Sequence, residues 1–184
     1  MLRAALIGTG YWGPNLANSI ERTGKAVVHA LCDASPDNLG SLARRYPYAR
    51  TTTDVGEVLQ DDGVDAVFIA TPTTTHYELG KRVLEAGKHV LIEKPITTSS
   101  PEAAALVRLA RERDRVLMVG HVFEYSPAIR IVDDRIKAGE LGEIYYMNVG
   151  QRASAQVSWV GHLTVATIVA MTVCVVWAKP LLSL

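Results

Sequence analysis

Cysteine is nearly absent from this 184-residue chain: Cys32 and Cys174 are the only two. They make neither a disulfide framework nor a metal-ligand spacing, so no metal site is expected. That usage suits a reducing compartment, and a cytoplasmic location is expected. An excess of one charge is also missing. The formal net charge is zero, with no basic run and no acidic tail. Nucleic-acid binding therefore has no electrostatic support, and no nucleic-acid partner is expected. The N-terminus lacks the apolar length of a signal peptide, because Ala4–Ile7 runs straight into a glycine turn. Acidic residues are missing from Ala153 to Leu184, where Lys179 is the only formal charge. The composition changes at that point.

What is present is organised. Apolar runs at Ala4–Ile7, Val27–Cys32, Ala66–Ala70, Val90–Ile92 and Val116–Val119 have the continuous character of parallel strands buried on both faces. Between them lie helical spacings: Trp12, Leu16 and Ile20; Leu79, Val83 and Ala86; Ala103, Leu106, Val107 and Ala110. Ser100-Pro101 places a proline in a first turn after a serine cap, and Gly87 follows Ala86 as a helix stop. Alternating strands and helices predict an α/β fold, a doubly wound parallel sheet of the Rossmann type. Beyond it, 127–138 reads as a helix with Ile129, Val132 and Ile136 inward. Gly139–Gly142 reads as a turn and Ile144–Val149 as a strand.

The first run breaks into Gly8-Thr9-Gly10-Tyr11-Trp12-Gly13, and Asp33 stands twenty residues beyond the last glycine, closing the second run. Each part has a separate job in holding a dinucleotide. Gly8 allows the strand-to-helix turn, Gly10 lets backbone approach a pyrophosphate, and Gly13 permits close helix–strand packing. The helix N-terminus offers N–H groups to phosphate, and Asp33 accepts hydrogen bonds from ribose hydroxyls. A glycine-rich turn that binds nothing is the plainer alternative.

The opening GTGYWG, ATPTTTH at 70–76, EKP at 93–95, GHVFEYSP at 120–127 and GELGEIYY at 139–146 follow one another in order. Together they resemble the Gfo/Idh/MocA family of nicotinamide-dependent sugar dehydrogenases. Within it, GTGYWGPN and GHVFEYSP most resemble the branch that oxidises the 3-hydroxyl of UDP-N-acetylglucosaminuronate or related sugar nucleotides. The resemblance covers 1–152 and implies NAD as cofactor, a sugar or sugar-nucleotide substrate and a homo-oligomer. It implies that Gly8, Thr9, Gly10 and Gly13 form the phosphate turn, with Tyr11 and Trp12 beside the cofactor and Asp33 on the ribose. Thr71, Pro72 and His76 then line the dinucleotide cleft, Glu93 and Lys94 reach the nicotinamide, and His121 is a further cofactor contact. Lys94 is the candidate catalytic residue, since an ammonium beside the reacting carbon stabilises a developing oxyanion.

Three segments are expected: 1–121 as a dinucleotide-binding domain, 122–152 as the beginning of a substrate domain, and 153–184 as an atypical apolar tail. Family members continue for about 150 further residues, enough for a second domain. That domain carries an acid-x-x-x-His motif with the general base, and 153–184, with His162 but no acid, contains no such motif. A shifted or shortened reading frame, a membrane segment over Leu163–Ala178, and a divergent short domain are the three readings of the tail. Sixteen uncharged residues fall short of the ~20 that a membrane helix needs, so a membrane partner is disfavoured. The expectation is an NAD-dependent oxidoreductase that is inactive as this shortened chain. An inert nucleotide-binding fragment and a membrane-tethered binding protein are the alternatives.

Overall fold

A computed structural model of the chain describes residues 1–143 and the backbone of 147–151 and 171–175. Six short strands form one sheet: β1 Leu2–Ile7, β2 Ala26–Cys32, β3 Arg50–Thr52, β4 Ala66–Ile69, β5 His89–Ile92 and β6 Leu117–Val119. Their order is β3-β2-β1-β4-β5-β6, and every pairing is parallel. The chain winds outward one way from β1 and the other way from β4. Ligand crevices form beyond the strand C-termini at such a reversal.

Alternation along β1 decides what each helix covers. Ala4 and Leu6 point into one core with Val28 and Leu31, against Ala17 and Ile20 of α1 (Gly13–Arg22) and Leu39 and Leu42 of α2 (Pro36–Ala43). Ala5 and Ile7 point the other way with Cys32, Val67, Ile69 and Ile92. That second core is closed by Val58 of α3 (Val55–Gln60), Val83 and Leu84 of α4 (His76–Glu85), and Leu106 and Ala110 of α5 (Ser100–Glu112). Both faces being dry explains the unbroken apolar runs of the central strands.

Several local expectations need correction. Trp12 precedes α1 at its N-cap and is 40% exposed, so Gly13, Ala17 and Ile20 form the buried face instead. Ser99, not Ser100, holds the cap position of α5, and its side chain makes no capping bond. Val107 is exposed on α5 and Ala86 is the exposed C-cap of α4. Gly87 does end that helix with a φ of +73°. β3 gave no apolar signal because Arg50 and Thr51 are exposed on an edge strand, where burial selects nothing.

The chain divides into two compact units, Met1–His121 and Val122–Leu184. In the second, a 3₁₀ turn (Val122–Tyr125) leads into α6 (Pro127–Lys137). Ile129, Val132 and Ile136 are half-buried there. β7 (Met147–Gln151) pairs antiparallel with β8 (Met171–Val175). The expected strand at 144–149 is therefore seen from Met147, and 144–146 lie outside the described residues, as does most of 153–184. Among the described residues no helix is long and apolar enough to cross a membrane.

Candidate functional site

The glycine turn between β1 and α1 shows three different reasons for glycine. Gly8 has a φ of +95°, and a Cβ there would lie 2.7 Å from the carbonyl of Ala70. A Cβ on Gly13 would lie 2.6 Å from the carbonyl oxygen of Gly8. The fold itself forbids a side chain at both. At Gly10 the nearest atom to such a Cβ is Asn38 Nδ2 at 3.9 Å, and φ is not positive. Nothing in the protein requires glycine there, so the open backbone is available to a ligand. α1 begins beside it with no side-chain cap and no acidic residue in its first turn. That leaves a helix end suited to an anion.

Asp33 extends from the C-terminal end of β2 into this turn. Its Oδ2 accepts from the backbone N–H and hydroxyl of the buried Thr9 at 2.7 and 3.1 Å. Its Oδ1 accepts from Ser35 N–H at 2.9 Å and Asn38 Nδ2 at 3.3 Å. Desolvation pushes the carboxyl upward, but the donated bonds from Ser35, Thr9 and Asn38 together outweigh it and hold the group below the ordinary aspartate value. Asp33 is therefore charged and also anchors the glycine turn.

A cleft of about 370 Å³ opens beside the turn, lined by Tyr11, Trp12, Ala70, Thr71, Pro72, Thr73, His76, Glu93 and Lys94. Tyr11 and Trp12 stack with planes 6° apart and centroids at 5.8 Å, and Tyr11 is 93% exposed. The turn after β4 is braced by a 2.7 Å bond between the Thr71 and Thr75 hydroxyls and by Thr75 Oγ1 donating to the Pro72 carbonyl. His76 is buried, with both ring nitrogens on backbone carbonyls. Glu93 is also buried, and its carboxylate lies against Gly120, where a Cβ would come within 3.0 Å. Lys94 is exposed on the cleft, and among the described residues its ammonium has no hydrogen-bond or ion-pair partner.

Of the residues singled out in the sequence, Tyr11, Trp12, Thr71, Pro72, His76, Glu93 and Lys94 share this cleft. Gly8, Thr9, Gly10, Gly13 and Asp33 form the adjoining turn and its anchor. His121 is not among the lining residues; it stands exposed beyond β6. Sequence reasoning missed Ala70, Thr73 and Asn38. Asn38 carried no motif signal; it reaches Asp33 from the first turn of α2, five residues further on. Among the described residues no cluster of His, Cys, Asp or Glu could hold a metal ion.

Comparison with known proteins agrees with this geometry. Residues 2–121 match the family model described as an oxidoreductase family with an NAD-binding Rossmann fold. The chain is 35% identical over 150 residues to scyllo-inositol 2-dehydrogenase (NAD(+)) of Bacillus subtilis, covering 79% of this chain and 43% of that enzyme. It superposes on GenD2 from gentamicin A biosynthesis, in complex with NAD, with a TM-score of 0.76 and 32% identity. That match covers 80% of this chain and 42% of GenD2. The 3-ketoreductase KijD10 of Actinomadura kijaniata, in complex with NADP and TDP-benzene, gives 0.76 and 32%, covering 82% and 46%. The chain spans between 26% and 54% of the curated relatives it matches. Fold, glycine turn and matched segment coincide, and the chain belongs to the Gfo/Idh/MocA family of oxidoreductases, within its NAD-binding Rossmann fold.

Proposed function

We propose that this chain supplies the cofactor half of an oxidoreductase that moves a hydride between NAD(H) and a hydroxyl-bearing carbon of a sugar or sugar nucleotide. The observation that carries the reading is Lys94, whose ammonium stands on the cleft that the glycine turn also borders, without a partner among the described residues. When bound, the nicotinamide supplies the hydride acceptor. The chain's own residues bind and orient the reactants, and the hydroxyl proton passes to a base outside the cofactor half. Gly10 and the uncapped start of α1 hold the pyrophosphate, and Asp33 accepts from the ribose. Asp33 also repels a 2′-phosphate, and Ala34-Ser35 offers no cation to offset that, so NAD is preferred to NADP. The Lys94 ammonium draws electron density from the substrate oxygen as the carbon changes oxidation state.

The substrate class rests on the relatives: one is an inositol dehydrogenase, and another is a 3-ketoreductase solved in complex with NADP and TDP-benzene. We assign the chain to the sugar-nucleotide branch because GTGYWGPN and GHVFEYSP resemble it most. Segments 1–121 and 122–152 then serve as cofactor domain and start of a substrate domain.

The test is a calorimetric titration of the chain with NADH and NADPH, followed by NADH formation with inositol and a panel of UDP- and dTDP-sugars. Saturable NADH binding, tighter than NADPH, supports the reading. Absence of any dinucleotide binding by folded protein would sink it.

A further inference from the structure

His76 opens α4, and its ring is 1% exposed. Nδ1 lies 2.8 Å from the carbonyl oxygen of Pro95, and Nε2 lies 2.8 Å from the carbonyl oxygen of Thr71. A backbone carbonyl only accepts, so each of these contacts needs an N–H on the ring. A neutral imidazole has one. It would satisfy one oxygen and turn a lone pair on the other at the same short distance. Turning the ring over gives no escape. It would put Cδ2 and Cε1 where the nitrogens stand, well inside the about 3.3–3.6 Å of a C–H···O contact.

We propose that His76 is a positioning residue whose doubly protonated ring clasps the two turns that form the cleft. Thr71 belongs to the turn after β4. Pro95 directly follows Lys94 in the turn after β5. Those strands are paired up to Ile69 and Ile92, and Glu93 N–H still donates to the Ile69 carbonyl. Beyond that point His76 provides the only hydrogen-bonded tie between the two turns among the described residues. The clasp therefore fixes where Lys94 stands relative to the Thr71 wall. It also places a buried positive charge behind a cleft that takes an anionic ligand. That the clasped turns receive a dinucleotide rests on the function proposed above; the clasp itself rests on the two bonds alone.

The charged groups around the ring set what else titrates there. Glu93 and Lys94 line the same cleft from the β5 turn. β4 and the Thr73–Thr75 turn carry no titratable side chain. Gly80 of α4 packs against Leu106 of α5, and Glu102 in the first turn of α5 accepts from the Thr98 hydroxyl at 3.1 Å. Tyr77 and Glu78 follow on α4 itself, and His89 sits at the far end of β5.

The deciding measurement is a long-range ¹H–¹⁵N correlation on ¹⁵N-histidine-labelled chain without cofactor, with His76 identified by its loss in His76→Gln. Two protonated nitrogens on that ring are expected at the pH where NADH binds most tightly. A bare, unprotonated nitrogen there overturns the proposal. A second readout is NADH affinity against pH. Wild-type affinity should fall about tenfold as the ring loses its second proton, the loss of one charge-assisted bond. The Gln variant should bind more weakly and show no step in that range. Identical pH profiles in the two proteins also overturn the proposal. If His76→Gln does not fold, replacing His29, His89, His121 and His162 leaves His76 the only ring in the spectrum. If NADH does not bind at all, the functional reading fails, while the ring spectrum still decides the clasp.

Discussion

Asp33 and Thr9, 24 residues apart in the chain, meet at 2.7 Å between carboxylate and backbone N–H. The acid placed by the sequence to read a ribose is already a structural part of the glycine turn. Removing it therefore has two consequences that need separating. Asp33→Ala leaves the Thr9 and Ser35 N–H groups without their acceptor and should cost about 1–3 kcal/mol of stability. Asp33→Asn keeps one acceptor oxygen and should cost less, while narrowing any preference for NAD over NADP. Urea unfolding and calorimetric titration of the two variants separate the effects. Equal stability of Asp33→Ala and wild type would remove the anchoring role.

The same carboxylate predicts an acid dependence. Its folded-state value is held below the ordinary one, so its stabilisation is complete above the unfolded value of about 3.9. That stabilisation is lost as pH falls through the lower folded value. Asp61 and Asp65 are lowered too, Asp61 chiefly by the Gly63 N–H and Asp65 chiefly by the Arg3 N–H. Unfolding free energy should therefore drop steadily below about pH 4. Asp33→Asn should drop less steeply than wild type. Parallel curves for the two proteins would contradict the lowered value for Asp33.

The glycines of the turn should part company when each is changed to alanine. Gly13→Ala drives a Cβ into the Gly8 carbonyl, and Gly8→Ala strains a positive φ against Ala70. Both should lose about 2 kcal/mol or more. Gly10→Ala meets open space and should stay within about 0.5 kcal/mol of wild type. It should nevertheless lose most NADH affinity, because the added methyl occupies the approach to the phosphates. Thermal melts with and without NADH read both quantities. Normal NADH binding by Gly10→Ala would mean that the ligand does not pass over this turn.

Lys94→Met tests the chemistry apart from binding. The chain should be joined to a family member's substrate domain for this measurement. Turnover should then fall by about 2–4 kcal/mol of transition-state stabilisation. NADH affinity should change little, because the ammonium holds nothing else in place among the described residues. Near-normal turnover in the variant would take Lys94 out of the mechanism.

Cys32 should be chemically silent. It is 1% exposed, and burial, followed by the negative charges of Asp33, Asp54 and Glu57, pushes its thiol up to about 11. In a Cys174→Ser background, alkylation at pH 8 should proceed only as fast as the protein unfolds. Rapid labelling of folded protein would show that this core opens locally.

The central sheet was legible in the sequence because β1, β2 and β4 send apolar side chains into both cores, and burial writes unbroken apolar runs. β3 was not, because an edge strand with Arg50 and Thr51 exposed is held by its ladder alone. The motif residues were legible as types: glycines, an acid and a lysine at the spacing that dinucleotide chemistry needs. The tertiary structure decided their roles. Whether a glycine serves the fold or the ligand depends on what stands opposite its missing Cβ. At Gly8 and Gly13 that is a backbone carbonyl, and at Gly10 it is open space. Likewise the sequence offers His76 only as a histidine at a helix start. Its two carbonyl partners lie 5 and 19 residues away on neighbouring turns, and only the folded sheet brings both to one ring.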